Sequence, residues 1–183
     1  MAKTKTIMKI FTIADYEEEE KWLASQHGKG WRLTKVIIPF FYVFEASEPE
    51  KVIYQLEFKE SKVTDDYLKM YEDYGWEYFG TYLGWNYFRK PESEIETESD
   101  REIFSDAESK IAMIEQVFQS RIWPLLIVFV AVILPQLSDL DKDVFKTSDI
   151  VFLIIYLVLF GLYIFAIIYC GLKLFRMKKN LEK

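Results

Sequence analysis

One stretch of the chain constrains the fold more than any other. The 23 consecutive residues Ile150–Leu172 carry no charged side chain. A helix of that length would be roughly 34 Å long at about 1.5 Å per residue, slightly more than the hydrocarbon core of a bilayer. We therefore predict a transmembrane helix here. Burial in a soluble domain is the alternative, but the rest of the chain is too small to cover such a helix.

A second uncharged stretch precedes it. Ile122–Leu137 has 16 residues, with a proline near each end, and its position next to the longer stretch predicts a helical hairpin anchored by Trp123 at the interface. The first twenty residues show no signal peptide. The basic residues after the hairpin predict a multi-pass protein of the cell membrane with both termini cytoplasmic; they are Lys173, Arg176, Lys178, Lys179 and Lys183.

The charged and reactive residues exclude several function classes. The net charge is -6, and there is one histidine and one cysteine. An acidic chain without a basic stripe argues against direct nucleic-acid binding. The lone Cys170 cannot form an intramolecular disulfide, and no phosphate loop or metal-binding motif occurs. We therefore expect a protein that is not an enzyme and has no cofactor and no metal site.

The first 90 residues contain an internal repeat. At an offset of 45 residues, Gly30-Trp31 falls on Gly75-Trp76, and tryptophan is rare enough to make this pairing informative. The repeat predicts an α+β fold, with a duplicated strand–helix–strand–strand unit that forms one six-stranded sheet with two helices on one face. The predicted elements are Lys9–Ile13, Tyr16–His27, Trp31–Ile38 and Phe40–Ala46, then Val52–Lys59, Asp65–Tyr74, Trp76–Leu83 and Trp85–Lys90.

Bulky residues occupy both faces of the predicted sheet. Alternation along one strand assigns Val52, Tyr54, Leu56 and Phe58 to the core. The opposite face would then be a surface for a protein partner or a small apolar ligand, unless the sheet curls enough to bury it. The candidate residues of that face are Phe41, Val43, Ile53, Phe79 and Phe88.

Polar residues around the first predicted helix have simpler interpretations. The acidic run Glu17–Glu20 fits a solvated helix start, where the helix dipole favours negative charge. His27, at the other end of this helix, is interpreted as a cap, because the sequence suggests no second residue for catalysis.

An acidic segment joins the two halves of the chain. Pro91–Ser99 has the composition of a flexible linker, and Ser99 with Glu102 forms a capping box. We expect the helix that follows to pack its apolar stripe on lipid headgroups or on the soluble domain, or to form a homo-oligomer. The predicted domains are thus 1–91, 92–121 and 122–183. The stripe comprises Phe104, Ala107, Ile111, Ile114 and Phe118.

Several motifs resemble a known family. KWL, GKGWRL, FFYVFE, EKVIYQLEF and DYGWEYFGTYLGWNYFRKP, followed by a two-span tail, are similar to the bacterial membrane-protein family called domain of unknown function 2812. The resemblance covers Ile10 to Pro91 and implies a gene neighbourhood with PadR-like regulators, hence a regulatory or envelope-stress setting. It supplies no catalytic residues. The matching residues are Trp22, Gly30, Trp31, Gly75, Trp76, Trp85, Tyr87, Phe88, Arg89 and Lys90.

Two functions remain open from the sequence. The first is a non-enzymatic cytoplasmic binding and regulatory module on a two-helix membrane anchor. The second is a component of a membrane transport or immunity assembly, in which the hairpin is the working part and the soluble domain is a scaffold.

Overall fold

The computed structural model describes residues 3–37, 40–61, 63–103, 107–128, 131 and 147–182. They form two compact units, Met1–Met113 and Ile114–Lys183. The first unit contains the strands, two complete α-helices and the beginning of a third among its described residues, and the second contains only helices among its described residues. Elements of the first unit, in chain order, are β1 (Thr4–Met8), α1 (Tyr16–His27), β2 (Trp31–Ile37), β3 (Phe41–Ala46), β4 (Val52–Phe58), α2 (Asp65–Asp73), β5 (Glu77–Tyr82) and β6 (Trp85–Pro91).

The first unit is a duplicated strand–helix–strand–strand arrangement, but its six strands form two sheets. Sheet A has the order β1-β3-β2 and sheet B the order β4-β6-β5, with every pair antiparallel. An irregularity of register follows Leu33 in β2 and Tyr78 in β5, and these positions are 45 residues apart. The element order was therefore predicted correctly, and the single six-stranded sheet was wrong.

Helix α1 packs against both sheets, which also contact each other directly between Arg89 and Leu33. Its Trp22 ring lies 5.6 Å from the Phe44 ring of sheet A, while Glu20 accepts a hydrogen bond from the backbone N–H of Leu56 in sheet B at 2.7 Å. On the other face of sheet B, the Tyr71 ring of α2 lies 4.8 Å from the Phe88 ring. The layers therefore follow the order sheet A, α1, sheet B, α2. The predicted core residues of β4, Val52, Tyr54, Leu56 and Phe58, are all buried.

The repeat is less regular than an offset of 45 suggests. Gly30 and Gly75 both have a positive φ, of 79° and 80°, which glycine adopts without strain and which ends each helix ahead of the next strand. The hairpin connections differ, because three residues separate β2 from β3 and two separate β5 from β6. Strand β1 also lies five residues earlier than predicted, at Thr4–Met8, so Lys9–Ile13 is not a strand.

The segment after β6 is ordered against sheet B. The backbone N–H of Glu92 donates to the carbonyl of Lys51 at 2.9 Å, and Ile103 packs with Trp76 and Phe88. Two 3-10 turns, Glu92–Glu94 and Glu98–Arg101, replace the flexible linker predicted at Pro91–Ser99. The capping box joins Thr97 to Asp100, so the one predicted at Ser99 and Glu102 was misplaced.

Long helices dominate the rest of the chain. Helix α3 (Ala107–Val117), a π-helical turn (Phe118–Ile122) and α4 (Trp123–Val128) are consecutive, and α5 spans Thr147–Leu181. Within the described part of the chain, Ala107–Val128 and Leu157–Leu181 are long and apolar enough to cross a membrane. Core helices of soluble proteins can have the same length and composition. The predicted span Ile150–Leu172 is helical, whereas residues 129, 130 and 132–137 of the predicted span Ile122–Leu137 lie outside the described residues.

Candidate functional site

The five residues predicted to share one face are separated by the two sheets. Phe41 is 39% exposed and Val43 is half-buried, both on the outward face of sheet A. Phe88 is fully buried under α2 with Ile53 packed against the same cluster. Phe79 lies at the irregularity of β5, and its ring contacts Tyr87 on the side that faces α1. Phe41 and Val43 therefore share one exposed face, whereas Ile53, Phe79 and Phe88 do not lie on it, because α1 and α2 cover both faces of sheet B.

The outward face of sheet A, which we call the open face, carries exposed apolar side chains in register. Met8 lies opposite Phe41 on β1, and Ile37 lies opposite Phe41 on β2. The exposed fractions of Met8 and Ile37 are 61% and 43%. Large apolar side chains in such a contiguous group are typical of interaction surfaces. The full set on this face is Thr4, Thr6, Met8, Arg32, Lys35, Ile37, Phe41, Val43 and Glu45.

The repeat identifies the face of sheet B that corresponds to the open face, and the two faces can be compared for what covers them. The bond from the Lys9 N–H to the Phe40 carbonyl matches that from the Lys59 N–H to the Gly84 carbonyl, so Phe41 of sheet A corresponds to Trp85 of sheet B. Trp85 is buried, and the Tyr16 ring of α1 stacks on it at 5.2 Å. One repeat thus covers this face with a helix, while the other leaves it exposed.

A buried carboxylate joins the two sheets through α1. Glu19 Oε1 accepts hydrogen bonds from the Tyr42 hydroxyl at 3.0 Å and the Tyr87 hydroxyl at 2.7 Å. Burial raises the pKa of Glu19, and these two hydrogen bonds oppose the rise. Burial also raises the pKa of the neighbouring Glu20, to about 8. The solvated helix start predicted for Glu17–Glu20 was therefore wrong for Glu19, since α1 has a sheet on either side.

A second polar network surrounds His27. Its Nδ1 lies 2.9 Å from the Tyr54 hydroxyl, and burial together with the charge of Arg89 lowers the pKa of His27 to about 4. The Arg89 guanidinium donates to both carboxylate oxygens of Glu77, at 2.6 and 2.5 Å, and to the carbonyl of Leu33 at 3.2 Å. His27 at neutral pH is therefore an uncharged member of a network between the sheets, not a simple helix cap.

Sequence reasoning missed this network, although one signal was present. Arg89 stands in a strongly aromatic strand, where a charged side chain needs a partner. The two-residue turn at Leu83 and Gly84 alone would place Glu77 opposite Lys90, and the irregularity after Tyr78 shifts the register so that Glu77 lies opposite Arg89. The turn therefore did not predict that pair. The approach of His27 and Leu33 depends on the packing of the two sheets, which the sequence does not reveal.

The polar groups of both networks bond mainly to each other. Glu19 with Tyr42 and Tyr87 connects α1 to sheets A and B, and Arg89 of sheet B donates directly to the Leu33 carbonyl of sheet A. Across the described residues, no group of three or more His, Cys, Asp or Glu side chains is arranged to hold a metal ion. The arrangement fixes α1 between the sheets, and this leaves the open face as the candidate functional site.

The predicted coupling stripe is rotated on its helix. Ile114 is buried, Ile111 and Phe118 are half-buried, Ala107 is exposed, and Phe104 lies outside the described residues. Met113 and Val117 are buried in their place. The apolar residues of α3 cover a wide arc of the helix, so spacing alone did not select the buried side. The π-helical turn that begins at Phe118 also changes the angular position of the residues after it.

A comparison with protein families gives one match. The family model described as "Protein of unknown function (DUF2812)" matches residues 15–128, well over half of the chain. The matched region begins before α1 and ends with α4, so it extends further toward the C-terminus than the resemblance over Ile10–Pro91. The comparisons with curated proteins and with solved structures gave no match.

Proposed function

This chain belongs to the DUF2812 family, and from that premise we propose that it is a non-enzymatic, membrane-anchored binding and regulatory module that recognises a protein partner. The observation that carries the proposal is the open face of sheet A. Its counterpart in sheet B is covered by α1, whereas Met8, Ile37 and Phe41 are exposed side by side.

The composition of the open face suits a protein interface. Its apolar residues run from Met8, Ile37 and Phe41 at one end of sheet A to Val43, and Lys35, Arg32 and Glu45 supply charges beside Val43 and toward the other end. Apolar side chains bordered by charged ones are usual in such interfaces. Because the Tyr16 ring of α1 stacks on Trp85 in sheet B, we expect an aromatic or aliphatic side chain of the partner to pack against Phe41.

A small apolar ligand is less suited to this face. Small-molecule sites are concave and surround most of the ligand. The open face is the surface of a three-stranded sheet, and Thr4 and Thr6 on β1 and Lys35 on β2 lie beside its apolar residues. It therefore offers a broad contact area to a folded partner.

The proposal includes a placement in the cell. The two membrane-length helices would anchor the first unit to the cell membrane, with both termini in the cytoplasm because basic residues follow the last apolar stretch. A bacterial PadR-like regulator system is the proposed setting, by the resemblance alone. Regulation would then consist of holding a partner at the membrane.

A second candidate function is a transport or immunity assembly in which the hairpin does the work. The π-helical turn Phe118–Ile122 within the first membrane-length helix favours it, since such turns occur frequently at functional sites. In the same unit, Lys178 forms ion pairs with Glu115 and Glu182.

Exchange of the hairpin separates the two functions. In the full chain, residues 122–181 would be replaced by an unrelated two-span anchor of the same orientation and comparable expression. We expect recovery of the partner from membranes to stay within about twofold of wild type, because the open face is unchanged. Loss of partner recovery, with the first unit still folded by near-UV circular dichroism, would favour the working hairpin.

A further inference from the structure

Four exposed apolar side chains gather at one end of sheet A. Met8, Phe41 and Ile37 are neighbours across the three strands, and the exposed Ile10 follows β1 closely. We call these four residues the apolar corner. Ile37 and Phe41 belong to the nine-residue stretch Val36–Phe44, which contains no charged side chain. Within it, Ile37 and Phe41 are exposed, whereas Val36, Tyr42 and Phe44 are buried. Adjacent exposed apolar side chains are typical of interaction surfaces.

The charged residues of sheet A are mostly basic, and those next to the apolar corner along the chain are Lys9 and Lys35. Residues 3–14 and 30–44 contain Lys3, Lys5, Lys9, Arg32 and Lys35 but no acidic residue, in a chain of net charge -6. Lys9 adjoins Met8 and Ile10, and Lys35 is close to Ile37 along β2. The acidic residue of the sheet A strands, Glu45, lies at the other end of β3 from Phe41 and opposite Thr4 and Arg32.

We propose that the apolar corner docks on the anionic surface of a lipid bilayer. Met8, Ile10, Ile37 and Phe41 enter the interfacial region, and Lys35 lies near the lipid phosphates, whereas the Lys9 ammonium lies over the Phe11 and Trp22 rings. Exposed apolar side chains combined with flanking basic residues are what binding to anionic bilayers requires. Charge complementarity supports this occupant, because the corner is basic while the chain as a whole is acidic.

A second copy of the chain is the competing occupant. Helix α2 exposes Met70 and Tyr74 beside Asp66 and Asp73, so it could meet a basic apolar surface. Lipid is favoured because a chain held by membrane-crossing helices experiences a high local concentration of bilayer surface. The lipid contact does not depend on a protein partner. Met8, Ile37 and Phe41 belong to both the apolar corner and the open face, so a bilayer and a protein partner would compete for them. The probe is therefore placed at Ile10, which is outside the open face, and no protein partner is present in the test.

The test measures how close the corner comes to lipid in the full chain. Cys170 is replaced by alanine, a cysteine is introduced at Ile10, and an environment-sensitive fluorophore is attached. The protein is reconstituted into phosphatidylcholine vesicles with and without phosphatidylglycerol, in which some lipids carry a nitroxide quencher near the headgroup. A matched reference carries the fluorophore at Lys69, an exposed position on α2.

We expect at least about twofold stronger quenching at Ile10 than at Lys69 in vesicles that contain phosphatidylglycerol, with a smaller difference in phosphatidylcholine alone. High salt should reduce the quenching, because the basic residues contribute to binding. The double variant Met8→Asp/Ile37→Asp should lower quenching at Ile10 to the level of the reference. Met70→Asp, which changes an exposed apolar residue on α2, should leave it unchanged.

Two results would overturn the proposal. The first is equal quenching at Ile10 and Lys69 in both kinds of vesicle. The second is protection of the Ile10 fluorophore from iodide in detergent that increases with protein concentration and is lost in Met70→Asp. That result would identify a second copy, bound through α2, as the occupant of the corner.

Discussion

Replacement of Trp76 by alanine is expected to lower the free energy of unfolding of the first unit by about 3–5 kcal/mol. Trp76 is only 4% exposed and packs with Phe88 and Ile103 beneath α2. Removal of its ring leaves a cavity in a part of the core that also holds the segment after β6 in place. Denaturant unfolding of the full chain in detergent, followed by near-UV circular dichroism, measures the loss.

Trp31 is the matched control, since it occupies the same position in the first repeat. Its ring is half-buried, and Lys5 Nζ lies 4.3 Å from its centroid. Trp31→Ala should therefore cost no more than about half as much as Trp76→Ala. Duplication alone would predict similar losses for the two residues. Equal destabilisation, or a larger effect at Trp31, would show that the two rings are equivalent anchors and that their different burial has no energetic consequence.

Ile114→Asp is expected to lower the free energy of unfolding of the second unit by about 3–5 kcal/mol. The Ile114 side chain has no exposed surface, so the substitution would bury a carboxylate without a built partner. Ala107→Asp is the matched control on the same helix, because Ala107 is exposed and belongs to the stripe predicted from spacing. Resistance to proteolysis of the membrane-bound full chain, at matched expression, reports the difference.

The first unit should remain folded in both variants, as judged by protease-resistant fragments that contain Trp31 and Trp76. If Ala107→Asp lowers resistance to proteolysis as much as Ile114→Asp does, the stripe predicted from spacing describes the packing of α3 better than the buried side chains of the structure do. If neither variant has an effect, the side of α3 that contains Met113, Ile114 and Val117 contributes little to the stability of the helices.

Features encoded locally were predictable from the sequence. The pairs Gly30-Trp31 and Gly75-Trp76 identified the repeat. Each glycine has a positive φ in the structure, and this local backbone conformation ends the preceding helix. The apolar stretch Ile150–Leu172 predicted a long helix, and α5 contains it. Alternation along Val52–Phe58 predicted a buried face, which is confirmed.

Features that depend on packing between elements were not predictable. Periodicity assigns a face to each strand but does not say that α1 lies between two sheets, which explains why Glu19 is buried. Nor does it say that α2 packs on the opposite face of sheet B, where it covers Phe88. The irregularity after Tyr78 places Phe79 on the side that α1 covers. Of the predicted candidate face, Phe41 and Val43 lie on the exposed surface of sheet A because no helix of this chain packs there within the described residues.

The central claim, that the open face recognises a protein partner, can be tested by photo-crosslinking in cells. A photoreactive amino acid is placed at Val43 in the full chain, with Lys69 on α2 as the matched position outside the face. We expect Val43 to give one discrete crosslinked protein that Lys69 does not give, that is lost in Phe41→Asp, and that persists in Met70→Asp. Identical products at both positions, or a Val43 product that persists in Phe41→Asp, would contradict the claim.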